Sequence, residues 1–146
     1  MSKNTEREIV QHLDQAFAGL IADLKDLAGS ATLNQNILRS AAVIEQMCGG
    51  LVSNLWDDPF EWTLPETLSN PDRVSEYLSE VDVARERAFN SIRDDGALIK
   101  YISTPAGERQ LMRLLVETLV KASDYRGRAV ATLKILSSEG APRFII

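Results

Sequence analysis

Two polar residues, Ser40 and Tyr125, fall on apolar stripes of helical spacing and a third, Lys121, flanks one, where burial costs free energy unless something pairs with them. Ser40 stands three residues after Ile37 and four before Ile44. Lys121 and Tyr125 are four apart, so on a helix they stack on one face. A hydroxyl, an ammonium and a phenol supply hydrogen-bond donors and one positive charge, but no strong lone pair for a metal. Read on their own, all three have a packing role. Ser40 bonds a carbonyl of its own helix, Lys121 runs its stem along apolar surface, and Tyr125 holds its hydroxyl at the rim.

The other reactive residues are fewer. His12, one step from Leu13, lies at the edge of a stripe, and the chain has no second histidine to build an imidazole site. Cys48, between Met47 and Gly49, reads as a small buried hydrophobe. Asp57, Asp58, Glu61 and Glu66 are acids of one loop without fixed ligand spacing, and read as a solvated face. There is no phosphate-cradling glycine loop, no CxxC, no GxSxG and no HExxH.

Composition bounds what these residues can serve. The 146 residues carry 16 Lys+Arg against 21 Asp+Glu, a formal charge of −5, and are 45% hydrophobic. That is an ordinary globular balance, sized for a single domain over residues 1–146. An acidic chain without a basic stripe lacks the electrostatic footprint of a nucleic-acid binder. One cysteine cannot form a disulfide within the chain, which fits a reducing, cytoplasmic setting. The start, MSKNTEREIVQ, is polar and charged, so no secretory core is expected there. The apolar-leaning run from Gln46 to Trp56 is too short to cross a bilayer.

Helices must position the candidate residues. Ile9, Leu13, Ala16, Leu20, Leu24 and Leu27 recur at steps of three and four, which predicts a first helix ending at Gly29-Ser30. A second stripe runs Ile37, Ala41, Ile44, Met47/Cys48, Leu51 and Leu55, and contains Gly49-Gly50, a place for close packing or a kink. Its frame matters, because a slip of one would exchange Ser40 for Arg39 or Ala41. Residues 56–69, WDDPFEWTLPETLS, lose the period and read as an ordered Trp/Pro-rich loop between helices 2 and 3. Ser69-Asn70-Pro71-Asp72 is a strong helix start. The third stripe is Val74, Leu78, Val81, Ala84/Arg85, Ala88 and Ile92, stopping before Asp94-Asp95-Gly96. Leu98 to Ser103 is extended or a short turn of helix. The fourth helix begins near Thr104-Pro105 or after Gly107, follows Leu111, Leu115, Thr118, Ala122, Tyr125, Ala129, Leu133 and Leu136, and ends at Gly140. The pattern predicts an all-α four-helix bundle.

The segment LMRLLVETLVKASDYRGRAVATL resembles the last helix of the DinB-like superfamily, bacterial DNA-damage-inducible proteins and their relatives. There the helix reads His-x-x-x-His-Arg-Gly-Gln. Here the frame is Lys121-Ala122-Ser123-Asp124-Tyr125-Arg126-Gly127-Arg128, which keeps Arg126-Gly127 and puts Lys121 and Tyr125 at the histidine positions. The family's third histidine lies in a helix-2 motif, L-x-His-I-x-x-x-E. NILRSAAVIEQ offers that frame with Ser40 at the histidine and Glu45 at the glutamate. The Trp-rich loop and the long third helix are also similar.

The resemblance implies a divalent metal, zinc or nickel, held by three imidazoles at one end of the bundle, with thiol-dependent transferases among the relatives. Serine, lysine and tyrosine cannot reproduce that site, so the metal is expected to be lost and no cofactor is expected. Two fillings of the old cavity remain. Lys121, with Arg126 and Arg128 nearby, receives a small anion such as a carboxylate while Tyr125 donates a hydrogen bond. Alternatively an internal pair fills it, Lys121 with Glu45 or Asp124 with Arg128 at i,i+4 spacing.

The expected function is non-catalytic small-molecule binding in a bundle-end pocket lined by Ser40, Lys121 and Tyr125. A second reading is a metal-dependent thiol transferase whose ligands have moved to His12 or the loop acids. A third is a homodimeric interaction protein using the apolar tail Phe144-Ile145-Ile146. Neither nucleic acid nor a membrane is an expected partner.

Overall fold

The computed structural model describes residues 6–29, 35–58 and 71–137. Four helices account for most of them: α1 (Glu8–Gly29), α2 (Gln35–Ser53), α3 (Pro71–Asn90) and α4 (Leu111–Ser137). Between α3 and α4 come a 3-10 turn, Asp95–Ile99, and a hairpin of β1 (Tyr101–Thr104) and β2 (Gly107–Gln110). The strands are antiparallel, with Tyr101 opposite Gln110 and Ile102 opposite Arg109. The expected Trp/Pro-rich loop lies for the most part outside the described residues, as do Glu61, Glu66 and the tail Phe144-Ile145-Ile146.

The helices form a ring in which α1 and α2 each pack on both α3 and α4. Helices α2 and α4 share the largest seam, and α1 touches α2 far less. One continuous core fills the ring, built from Phe17, Ile21, Ile37, Ile44, Leu78, Phe89, Leu115 and their neighbours. The stripes expected on α3 and α4 face it: Val74, Leu78, Val81, Ala88 and Ile92 are buried, as are Leu111, Leu115, Ala122 and Ala129.

On α1 Leu20 and Leu24 are buried as expected, and the first half of the stripe is corrected. Ile9 is 45% exposed and Ala16 is exposed, while Val10, Phe17 and Ile21 are buried. Both faces have helical spacing. Turning the larger Phe17 ring inward against Phe89 buries more apolar area than Ala16 would.

The hairpin departs from the all-α expectation. Thr104 Oγ1 accepts from the Ala106 N–H at 3.2 Å and donates to the Gly107 carbonyl at 2.6 Å. Gly107 takes φ +109°, which β-carbon sterics disfavour in other residues. This turn delays α4 until Leu111. At the end of α2 the helix stops at Ser53 because Asn54 turns left-handed at φ 56°. Its N–H still reaches the Gly50 carbonyl at 3.0 Å, and the Leu55 N–H reaches that of Gly49 at 3.1 Å. Leu55, on the expected stripe, is consequently exposed.

The first turn of α1 is capped from across the fold. The Asp95 carboxylate accepts the backbone N–H groups of Ile9 at 3.0 Å and Val10 at 2.9 Å. These are donors that the helix itself cannot satisfy. Arg7 adds a bond from Nη2 to the Phe89 carbonyl at the end of α3, 3.0 Å. Asp95→Ala is expected to lower stability by about 1–2 kcal/mol, the usual cost of losing a cap. Urea denaturation measures it, with faster amide exchange at Ile9 and Val10 as the local signature. Unchanged exchange there would count against the cap.

Candidate functional site

Ser40 is fully buried, but its hydroxyl donates to the Ala122 carbonyl of α4 at 2.7 Å rather than to a carbonyl of its own helix. Of its neighbours on α2, Arg39 is exposed and Ala41 is buried. The bond crosses from α2 to the turn of α4 that carries Lys121 and Tyr125, so the three residues meet at one seam. They do not line one pocket. Ser40 is sealed inside, Tyr125 is half-buried under the Arg128 guanidinium at 5.4 Å, and Lys121 is exposed.

The surrounding charges pair up. Arg128 meets Asp124 at 3.0 Å, the i,i+4 pair offered by the sequence. Arg126 meets Asp23 of α1 at 2.7 Å. The alternative pair of Lys121 with Glu45 is not formed, because Glu45 lies against α3. There it accepts the Tyr77 phenol at 2.6 Å. Burial pushes the Tyr77 phenol far above its ordinary range, and the Glu45 charge adds to the shift. Its O–H therefore stays a donor. Among the described residues Lys121 has no side-chain partner.

Lys121 opens into a cleft of about 490 Å3 between α2, α4 and the hairpin turn. Val43, Met47, Trp56 and Leu114 make its apolar wall. Gln46, Thr104, Arg109, Glu117 and Thr118 bring polar groups to the edge. Trp56 is held by two bonds, its indole N–H to Asn54 Oδ1 at 2.9 Å and its carbonyl from Gln46 Nε2 at 2.8 Å. The indole lies flush on Gly50, where a β-carbon would come within 2.3 Å of the ring. Gly49-Gly50 is therefore a site of close packing, as its residue types indicate. The sequence reading missed Trp56, Arg109 and Glu117 as cleft residues. One local signal was present: Glu117 stands four residues from both Arg113 and Lys121.

A second charged group joins α1 and α3. Arg85 donates to Asp82 at 2.8 Å and to Asp14, with its own side chain only 11% exposed. His12 is exposed on α1, away from any such partner set among the described residues. Cys48 is buried, and desolvation pushes its thiol up to about 12. It stays protonated where a free thiol ionises. Native protein at pH 9 is accordingly expected to resist iodoacetamide, with rapid alkylation only after denaturation. Prompt labelling of the folded chain would contradict this.

No group of three or more His, Cys, Asp or Glu able to hold a metal occurs among the described residues. The donor set at the resemblance positions does not fit a divalent cation either. The Ser40 hydroxyl is committed as a donor, and the Lys121 ammonium has no lone pair to give. No helix among the described residues is long and apolar enough to cross a membrane. Compared with protein-family models, curated proteins and solved structures, the chain matches none.

Proposed function

We propose that this chain is a small-molecule-binding protein of the DinB-like type that operates without the family's metal, its ligand seated in the α2–α4–hairpin cleft. The observation that carries the reading is Lys121, an ammonium without a side-chain partner among the described residues, at the mouth of a cleft walled by Val43, Met47, Trp56 and Leu114. The cleft volume of about 490 Å3 is in the range of ligand pockets, and mixed walls with a few polar groups are their usual composition. The bond from Ser40 to the Ala122 carbonyl supports the family frame, since it sets the helix-2 histidine position against the turn of α4 that carries Lys121. Serine, lysine and tyrosine at those positions support binding over metal-assisted catalysis. A reducing, cytoplasmic setting is part of the reading, because Cys48 is a free, buried thiol.

Two measurements test it. Amide shifts on titrating a panel of small apolar acids, amides and alcohols are expected to cluster at Val43, Met47, Trp56, Thr104 to Ala106 and Lys121. A panel that produces no clustered shifts at this cleft sinks the binding reading. Elemental mass spectrometry of untagged protein is expected to find no stoichiometric metal. Zinc or nickel at one per chain would overturn the metal-free part.

A further inference from the structure

Resting on that binding reading, we infer that the cleft selects ligands bearing a carboxylate, and that Glu117 occupies the carboxylate's seat in the free protein. Glu117 accepts from Arg109 through one oxygen and from Arg113 Nε at 3.2 Å through the other. Lys121, one turn further along α4, is at the spacing where it would ordinarily pair with Glu117. That carboxylate is already taken twice, and Lys121 is left facing the cleft.

Among the described residues that line the cleft, two cations, Arg109 and Lys121, stand against Glu117 alone, in a chain where acids outnumber bases 21 to 16, while Arg113 and Glu108 line the neighbouring depression. The local sign is the reverse of the whole molecule's. An anion is the complementary ligand.

The seat is built to be vacated. The Glu117 side chain is 48% exposed, and a pair so open to water shifts an equilibrium by up to about fivefold. A carboxylate with an apolar body brings more. Its body covers Trp56 and Met47 while its oxygens take the Arg109 fork and the Lys121 ammonium. Glu117 then turns outward and keeps Arg113. Arg109 itself is positioned by the hairpin register, opposite Ile102, so the fork stands at the cleft edge whichever carboxylate it holds.

The test is calorimetry on the full chain with 4-phenylbutyrate and its uncharged analogue 4-phenylbutanamide. The acid is expected to bind about tenfold or more tightly than the amide, as bonds to charged groups imply. Glu117→Gln is expected to strengthen acid binding by up to about fivefold and leave the amide unchanged. Glu108→Gln makes the same charge change next to Arg109 without freeing its fork, and is expected to shift binding by less than about twofold through water. Arg109→Met is expected to abolish the gain from Glu117→Gln in the double variant. Acid and amide binding alike would overturn the carboxylate preference while leaving the cleft a binding site. No gain in Glu117→Gln, or an equal gain in Glu108→Gln, would overturn the role of Glu117. Binding of neither probe would remove the binding reading and this inference with it.

Discussion

Phe17→Ala is expected to cost about 3–5 kcal/mol, the usual range for removing a buried phenylalanine ring. Domains of this size are stable by about 5–15 kcal/mol, so the variant should sit near the edge of folding. Phe17 is fully buried, and its ring centroid lies 5.5 Å from that of Phe89 at an interplanar angle of 47°. This tilted pair joins α1 to α3. Alanine would remove the contact and leave a cavity between two helices whose other side chains are already packed. A lowered urea midpoint with an unchanged denaturant slope is the expected signature. Phe17→Leu, which keeps most of the volume, should lose far less. A loss under about 1 kcal/mol for the alanine variant would mean that the core collapses to fill the gap.

Gly50→Ala is the second large effect, and it reads out in the cleft. The new β-carbon would stand 2.3 Å from Trp56 Cε3 and 2.4 Å from Cδ2 and Cζ3, distances no pair of carbons tolerates. The backbone of α2 is held by its own ladder, so the indole must leave. Overpacking of this kind costs about 1–3 kcal/mol, against about 1 kcal/mol that alanine gains over glycine inside a helix. The net loss of stability is accordingly modest. The loss of the cleft wall is not. A displaced Trp56 gives up its bond to Asn54 and its place beside Met47. Under the proposed binding function, affinity is expected to fall at least about tenfold, the worth of burying one aromatic face. Red-shifted tryptophan emission with near-wild-type stability would be the combined outcome. Unchanged emission would show that the helix yields instead.

The sequence allowed some of this to be read, and the reasons for the rest are physical. The spacing on α3 from Val74 to Ala88 identifies its buried face, because charged residues fill the intervals and leave one apolar stripe. On α1 two adjacent stripes compete, Ile9–Leu13–Ala16 and Val10–Phe17–Ile21, and periodicity does not choose between them. Phe89, distant in sequence, decides. The hairpin escaped because four-residue strands carry too little alternation to stand out beside helices. At the site, Ser40 was legible as a buried polar residue and Asp124–Arg128 as a local pair. The cleft was not. Its wall comes from Trp56 and its rim from Arg109, and only the chain's path around α2 and the hairpin brings them to Lys121.

The cap on α1 has a consequence in time. A ribosome finishes the helix at Gly29 but must add 66 more residues before Asp95 exists to accept the Ile9 and Val10 amides. At ordinary elongation speeds of about 5–20 residues per second, that is about 3–13 seconds. Throughout the interval the Ile9 and Val10 amides lack the carboxylate that caps them in the folded chain, which leaves the opening turn free to fray. Codon choice between positions 30 and 95 therefore sets how long the newborn chain waits with that end undone.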